Sequence, residues 1–179
     1  LRACPEASRF ADWCTGSGCI GITMILENDD LSGYGVDSSE TALRWAVLNA
    51  KKYNLESKFK LILNSDPSLC NIGHESLDFI VANPPYIPSH EIEGLMPDVR
   101  DNEPLEALDG GEEGIDVYSL LFSGLPKFLK TGGILGFEIA GDEQAKLLMS
   151  IAPQDLVLMN KIFDYNGILR HLTWKKTVQ

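Results

Sequence analysis

The segment VANPPYIP, at residues 81–88, carries the residue types best suited to chemistry in this chain. Its two prolines remove two backbone N–H donors, fix two φ angles and push Asn83 and Pro84 towards extended conformations. The result is a stiff elbow whose carbonyls are not committed to secondary structure, with an asparagine side-chain amide at its start. We call residues 83–86 the Asn-Pro-Pro-Tyr elbow and predict that it holds hydrogen-bond acceptors in a fixed position.

Methyl transfer to a planar nitrogen is the chemistry that such an elbow suits. The lone pair of an amide or exocyclic amine nitrogen is delocalised, so that nitrogen is a poor nucleophile. Acceptors on its two N–H groups would orient it and raise its electron density as the methyl group arrives. The side-chain oxygen of Asn83 and the carbonyl of Pro84 fit this role, and the ring of Tyr86 can stack on the planar group. The alternative is a proline turn that only closes a strand.

A glycine-rich turn lies earlier in the chain, in DWCTGSGCIG at residues 12–21. Gly16, Gly18 and Gly21 match the G-x-G-x-x-G pattern of dinucleotide sites. Glycines in a strand-to-helix turn let the backbone approach a ligand, and the helix N-terminus favours a negative group. The pattern alone does not distinguish a nucleotide site, an S-adenosylmethionine site and tight packing.

Two carboxylates are predicted at the ends of neighbouring strands. Asp37 could accept hydrogen bonds from both hydroxyls of a ribose, or it could cap the helix that begins near Ser38. Asp66 could accept a hydrogen bond from an adenine amino group, or it could form a turn before Pro67. The sequence leaves both alternatives open at both positions.

Apolar runs alternate with helical patterns along the chain, and a turn signal, Asn166-Gly167, lies near its end. This order predicts an α/β fold with a mostly parallel sheet of seven strands, an antiparallel C-terminal hairpin and helices on both faces. Ligands bind at the carboxyl ends of the strands in such sheets. Strands are predicted at 9–14, 32–37, 58–66, 76–84, 132–140 and twice within 155–176, and helices at 18–28, 38–54, 115–130 and 142–152.

The composition argues against several classes of protein. Apolar residues make up 44% of the chain and charged residues 23%, as in ordinary globular domains. We find no run of 18 apolar residues and no signal peptide, so we expect no membrane association and a location in the cytoplasm or, in a eukaryote, the mitochondrial matrix. The four cysteines lack the spacing of a zinc site, so no metal is expected, and Cys14 and Cys19 are expected to be small core residues.

The net charge of −11 is concentrated in one stretch of the chain, which we call the acidic segment. Residues 91–116 contain ten acidic side chains and one basic side chain, Arg100, so this segment contributes −9 of the −11. Nucleic-acid binding rests on Lys and Arg contacts to phosphate, so no direct nucleic-acid partner is expected. The segment is either a solvated loop or a surface for a basic protein partner.

Taken together, these motifs resemble those of the class I S-adenosylmethionine-dependent methyltransferases. More narrowly, they resemble the release factor glutamine methyltransferases (the HemK or PrmC family). DWCTGSGCI, GVD, NSD and NPPYIP follow the order of that family's motifs, and PDVRDNEPLEALDGGEEGIDVY, at residues 97–118, is similar to its segment after the tetrapeptide. The resemblance covers essentially the whole chain and implies a Rossmann-like class I methyltransferase fold.

The resemblance also implies a reaction and its partners. The cofactor would be S-adenosylmethionine, the product S-adenosylhomocysteine, and the protein substrate a peptide chain release factor, methylated at N5 of the Gln in its Gly-Gly-Gln loop. Arg100 and Glu103 would buttress the site, or they would form a surface ion pair of small consequence. The implied catalytic residues are Asn83, Pro84, Pro85 and Tyr86, and the implied cofactor-binding residues are Asp12, Cys14, Thr15, Gly16, Gly18, Asp37, Ser38, Asp66 and Asn83.

One departure from the family concerns the N-terminus. Members carry an N-terminal helical domain and a hairpin ahead of the glycine motif, whereas 11 residues precede Asp12 here. We therefore expect residues 1–179 to form a single, monomeric methyltransferase domain without that recognition domain. Two other functions remain open: an adenine-N6 DNA methyltransferase that flips its target base, and a cofactor-binding core that is inactive without an N-terminal domain. An NAD enzyme is supported by the glycine pattern alone.

Overall fold

The computed structural model describes residues 7–178, which form a seven-stranded sheet with helices on both faces. The order across the sheet is 3-2-1-4-5-7-6 in chain numbering; the first five strands run parallel, and the seventh runs antiparallel to the fifth and the sixth. The predicted sheet with its antiparallel C-terminal hairpin is therefore confirmed. The strands are β1 (Arg9–Trp13), β2 (Ser32–Asp37), β3 (Phe59–Leu63), β4 (Leu77–Ala82), β5 (Leu129–Glu138), β6 (Leu156–Phe163) and β7 (Leu169–Lys176).

Helices and short 3-10 turns connect these strands. None of the helices within residues 7–178 is long and apolar enough to cross a membrane. The 3-10 turns lie at 67–69, 89–94 and 126–128. The helices are α1 (Cys19–Glu27), α2 (Glu40–Lys52), α3 (Pro97–Arg100), α4 (Leu105–Leu108), α5 (Asp116–Gly124) and α6 (Asp142–Ile151).

Two hydrophobic clusters fill the two faces of the sheet. Because successive side chains of a strand point to opposite faces, Phe10 and Ala11 of β1 belong to different clusters. On the first face Phe10 stacks on Phe79, with ring centroids 5.4 Å apart, and α1 and α2 cover these rings. On the second face Phe122 of α5 meets Trp174 of β7 edge-on at 5.2 Å, and α6 packs beside them. The sheet is thus held rigidly between the two helical layers.

The junction between α5 and β5 differs from the prediction. The spacing of apolar residues predicts a helix over 115–130 that is bent or interrupted near Pro126, whereas α5 ends at Gly124 and β5 already begins at Leu129. Pro126 opens a 3-10 turn between them, because proline has no N–H with which to continue the helix. The predicted interruption near Pro126 is therefore confirmed, but residues 129 and 130 belong to β5 and not to a helix.

The first residues of β5 were not predicted as strand because they include glycines. The pairing of β4 with β5 shifts between Leu77 and Phe79, and Gly132, with φ +83°, lies within this irregular stretch. A Cβ on Gly133 would stand 2.8 Å from the carbonyl oxygen of Lys130. Glycines usually interrupt a strand pattern, but here they permit a bulge inside one.

The buried face of α2 also differs from the prediction. The apolar spacing predicts that Val47 and Tyr53 share this face with Ala46 and Ala50. Ala46 and Ala50 are buried together with Leu43, whereas the side chains of Val47 and Tyr53 are 51% and 45% exposed. Leu43, Ala46 and Ala50 follow helical spacing and define one stripe, which leaves Val47 at its edge.

Candidate active site

The glycine-rich turn joins β1 to α1 through residues in the left-handed region. Gly16 and Gly18 have φ angles of +56° and +80°, and Gly18 is the N-cap of α1. A Cβ on Gly16 would meet nothing within 4 Å, whereas a Cβ on Gly21 would stand 2.5 Å from the ring of Phe59. The first glycine therefore leaves open space at the turn, and the third allows close packing of helix on strand.

The buried side chain of Asp12 stabilises this turn by hydrogen bonds. Its Oδ2 accepts hydrogen bonds from the hydroxyl of Thr15 at 2.6 Å and from the N–H of Gly21 at 2.9 Å. The side chain is completely buried, and burial is the main reason why the pKa of Asp12 is raised to about 6. Asp12 and Thr15 thus shape the loop beneath a ligand site, and their side chains contact each other.

Asp37, at the end of β2, connects the glycine turn to the second helix. One carboxylate oxygen accepts a hydrogen bond from the N–H of Gly16 at 2.8 Å, and the other from the N–H of Ser39 at 2.9 Å. Ser39, not Ser38, is the N-cap of α2, and its hydroxyl accepts a bond from the N–H of Ala42. Asp37 therefore orders the turn and supports the helix start while it borders a cavity.

Asp66 lies in a turn beyond the strand that was predicted to carry it. β3 ends at Leu63, and the Asp66 carboxylate accepts a hydrogen bond from the N–H of Ser68 at 2.8 Å. This bond caps a 3-10 turn, and the hydroxyl and the N–H of Ser68 together lower the pKa of Asp66. Asn64, directly after β3, was missed; its Oδ1 is buried and receives no hydrogen bond from residues 7–178.

The Asn-Pro-Pro-Tyr elbow follows β4 directly. Asn83 is exposed and Pro84 is buried. Among residues 7–178, none donates a hydrogen bond to the Asn83 side chain or to the Pro84 carbonyl. Tyr86 packs against the larger hydrophobic cluster, and burial raises the pKa of its hydroxyl. The elbow thus presents free acceptors at its start and is anchored at its end.

A cavity of about 710 Å³ opens where β1, β2, β3 and β4 end. Its volume falls in the range of small-molecule sites, and its place agrees with the rule for open α/β sheets. Of the predicted site residues, those that line it are Cys14, Gly16, Asp37, Ser38, Asn83 and Pro85. The predicted residues outside its lining are Asp12, Thr15, Gly18, Asp66, Pro84 and Tyr86.

One side of the cavity is a segment that sequence reasoning did not assign to it. We call residues 104–111 the cavity wall; all of them except Leu108 line the cavity. The wall pairs with the chain that follows the elbow: Ile87 donates its N–H to the Leu108 carbonyl, and Gly110 donates its N–H to the Ile87 carbonyl, both at 2.9 Å. The chain that follows the elbow and the wall therefore form one hydrogen-bonded unit. No spacing pattern in the sequence predicts this pairing.

Comparison with known proteins identifies the family. The model of the methyltransferase small domain matches residues 1–96, which is more than half of the chain. This chain belongs to the methyltransferase small domain family. The matched region contains the glycine-rich turn, Asp37 and the whole elbow, whereas the cavity wall lies outside it.

Curated relatives of this family member carry a narrower name. Release factor glutamine methyltransferases from Bacillus cereus and Agrobacterium fabrum are 39% and 34% identical to the chain over 168 and 170 residues. These alignments cover 90% and 95% of the chain but 57% and 58% of the relatives. The chain thus spans less than two thirds of the length of the relatives it matches.

Solved structures show the same fold at low sequence identity. TrmN from Thermus thermophilus superposes with a TM-score of 0.69 at 21% identity, over 95% of this chain and 44% of that one. A methyltransferase from Pyrococcus furiosus also gives a TM-score of 0.69, at 15% identity, over 96% of this chain and 76% of that one. The predicted Rossmann-like methyltransferase fold is therefore confirmed.

Cys14 borders the cavity of this methyltransferase domain, and Cys19 does not. Cys14 has φ +58°, and burial, with the nearby charges of Asp37 and Asp12, raises the pKa of its thiol. Cys14 is therefore a neutral lining group. Cys19 is exposed as the first residue of α1, so its predicted core position was wrong. Cys4 lies outside the described residues.

Arg100 and Glu103 lie away from the cavity lining. The Arg100 guanidinium pairs with the carboxylate of its neighbour Asp101, with Nε and Oδ1 2.7 Å apart, and both side chains are largely exposed. Within residues 7–178, no group of three or more His, Cys, Asp or Glu side chains could hold a metal ion.

Proposed function

We propose that this chain is the methyl-transferring part of a release factor glutamine methyltransferase. It would transfer a methyl group from S-adenosylmethionine to N5 of the Gln in the Gly-Gly-Gln loop of a peptide chain release factor. The observation that carries the proposal is the elbow: Asn83 lines a cofactor-sized cavity, and neither its side chain nor the carbonyl of the adjacent Pro84 accepts a hydrogen bond from residues 7–178. The names of the curated relatives support the choice of substrate.

The cavity has features that fit S-adenosylmethionine. Asp37 offers a carboxylate for ribose hydroxyls, and the buried Oδ1 of Asn64 is an acceptor suited to an adenine amino group. The open space above Gly16 admits a ligand close to the backbone. Among residues 7–178, acidic side chains line the cavity and no Lys, Arg or His does, which favours a cationic ligand. These carboxylates belong to Asp37, Glu106, Asp109 and Asp116.

S-adenosylmethionine, when bound, supplies an electrophilic methyl group on a sulfonium sulfur. The part of this chain in the reaction is to hold the acceptor nitrogen. The Asn83 side-chain oxygen and the Pro84 carbonyl would accept the two N–H groups of the glutamine amide, so that its nitrogen faces the methyl group. Because the prolines restrict the backbone, these acceptors keep their orientation, and the site needs little reorganisation during the reaction.

No general base is required in this scheme. The nitrogen lone pair forms the new N–C bond while the C–S bond breaks towards sulfur, and the N–H becomes acidic as the nitrogen gains positive charge. The proton then leaves to water. No His lines the cavity formed by the described residues, so positioning rather than proton abstraction would supply the rate.

The experiment that tests the proposal is methyl transfer from labelled S-adenosylmethionine to a release factor. A release factor with its loop Gln replaced by Ala, and duplex DNA, are the parallel controls. We expect label only on the Gln-containing release factor. Label on DNA alone would overturn the proposal in favour of an adenine methyltransferase. Cofactor binding without any transfer would identify a core that needs further protein to act.

A further inference from the structure

Gln144 joins three segments that meet beside the elbow. It lies in the first turn of α6, and its side chain is buried. Its Nε2 donates hydrogen bonds to the carbonyls of Tyr86 at 3.1 Å and of Gly114 at 2.7 Å. Its Oε1 accepts a bond from the N–H of Ala140 at 2.8 Å. With both its donor and its acceptor atoms engaged in the interior, this amide is held in one orientation.

The bonds of Gln144 coincide with very close packing of the backbone. A Cβ on Gly114 would stand 2.5 Å from the carbonyl oxygen of Tyr86 and 3.2 Å from Gln144 Nε2. A Cβ on Gly110 would stand 2.8 Å from the Cα of Tyr86. The last residue of the elbow therefore sits directly against the end of the cavity wall, and Gln144 ties this contact to α6.

Helix capping explains only part of this arrangement. Gln144 is the third residue of α6 after the N-cap Gly141, a position where Gln often bonds back to the cap. The bond from Ala140 to Oε1 resembles that role. The two bonds from Nε2 lead to other segments and contribute nothing to the helix start.

We propose that Gln144 is a positioning residue for methyl transfer. It fixes the elbow relative to the cavity wall by joining the carbonyl of Tyr86 to that of Gly114, whose N–H donates to the Gly111 carbonyl in the wall. The inference rests on the proposed function, because the elbow is the part that would hold the acceptor amide. Loss of the two Nε2 bonds frees the elbow to shift against the wall. A misplacement of about 1 Å at reacting groups lowers a rate on the order of 10²-fold.

Two variants separate the donor bonds from the rest of the side chain. Gln144→Glu keeps an acceptor for Ala140 and, when ionised, has no donor. Gln144→Met keeps the length of the side chain and has neither. Hydrogen exchange at the N–H groups of Ile87, Ser89 and Gly110, which bond the elbow side to the wall, should become about tenfold faster or more in both variants. This measurement needs neither cofactor nor release factor.

Kinetics supply the second readout. In both variants we expect kcat for release factor methylation to fall on the order of 10²-fold, while the cofactor Kd, set by groups such as Asp37, stays within about threefold. Leu148→Val is the matched control: Leu148 is fully buried on the same helix and belongs to the larger hydrophobic cluster. It should lower thermal stability without lowering kcat.

The outcomes distinguish the two proposals. A wild-type chain that transfers label to DNA alone contradicts the proposed function, and one that transfers none is a core that needs further protein. In either case exchange at the three amides decides the role of Gln144 alone. Unchanged exchange in both Gln144 variants would overturn the inference. So would a Leu148→Val variant that loses as much kcat as Gln144→Met at equal thermal stability, because the effect would then be general destabilisation.

Discussion

Asn83 is the residue on which the proposed transfer depends most directly. It lines the cavity, and its side chain receives no hydrogen bond within residues 7–178, so it is available to an incoming N–H group. We expect Asn83→Ala to lower transfer by about 10²–10³-fold, as loss of one oriented group does elsewhere. Calorimetry should give a cofactor Kd within a few-fold of the wild-type value.

The exposed Asn160 on β6 supplies a matched control for this variant. Asn160→Ala removes the same side chain at the far edge of the sheet, and both transfer and cofactor binding should be unchanged. Loss of cofactor binding in Asn83→Ala with an intact fold would assign Asn83 to the cofactor instead of the acceptor.

Asp37 is expected to support cofactor binding twice, by its own carboxylate and by the N–H of Gly16 that it orders. Asp37→Ala should weaken the binding of S-adenosylmethionine by about 1–3 kcal/mol. Asp37→Asn, which retains one acceptor oxygen, should lose less. Calorimetry on both variants checks this order, and an unchanged Kd in Asp37→Ala would leave Asp37 as a support of the helix start only.

The raised pKa of Asp12 predicts that the free energy of unfolding depends on pH, with a definite sign. Because burial raises its pKa from 3.8 to about 6, the native state binds the proton more tightly than the unfolded state does. The Asp12 contribution to stability is therefore full below pH 4 and is lost as the pH rises through about 6, a change of about 3 kcal/mol. Asp12→Asn lacks this contribution.

Urea unfolding of both proteins between pH 4 and pH 7 isolates the effect, since the other carboxyls are shared. The free energy of unfolding of Asp12→Asn, relative to the wild type, should increase by about 2 kcal/mol over this range, because part of the change lies below pH 4. A difference that stays constant with pH would show that the Asp12 carboxylate ionises as easily in the folded protein as in the unfolded chain.

At the scale of elements, the contact between the elbow and the chain just beyond the cavity wall requires glycine at one position above all. Gly114 has φ +69°, and a Cβ there would collide with the Tyr86 carbonyl. Gly114→Ala should lower the free energy of unfolding by about 1–3 kcal/mol from backbone strain alone and should also lower transfer. Urea unfolding and methylation assays measure the two effects.

The same stretch of chain provides a control for this substitution. Gly94 lies in the acidic segment, and a Cβ there would meet nothing within 4 Å. Gly94→Ala should leave both stability and transfer near their wild-type values. If the two alanine variants behaved alike, the close contact at Gly114 would not be needed for the site.

At the scale of the whole molecule, the charge distribution predicts how salt affects the binding of the protein partner. All ten carboxylates of the acidic segment lie within the connection that builds the cavity wall, and most of them are exposed. If the release factor presents a basic face to this segment, its affinity should fall as salt rises from about 0.05 to 0.5 M, because exposed charges are screened over about 10 Å or less.

Cofactor binding under the same conditions is the internal comparison for the salt experiment. Glu112→Gln and Glu113→Gln remove exposed charges that do not line the cavity, so the double variant should reduce the salt dependence of release factor binding and leave the cofactor Kd unchanged. If the affinity for the release factor did not change with salt, the acidic segment would be a solvated loop and not a surface for the partner.

The sequence by itself determined the fold class, the glycine-rich turn and the elbow. Strand and helix periodicities are local, and the backbone limits of Gly16, Gly18 and the two prolines act within a few residues, so these features can be recognised without knowing what packs against them. The same local rules failed at the start of β5 and on α2, where a bulge and neighbouring elements override the pattern.

Only the tertiary structure decided which side chains meet at the cavity. It placed Asn64 rather than Asp66 at the lining, turned Asp12 into the brace of the glycine turn, and brought residues 104–111 against the elbow. It also joined Gln144 to Tyr86, 58 residues away. Such contacts depend on sheet order and on long-range hydrogen bonds, and a single sequence carries no local signal for either.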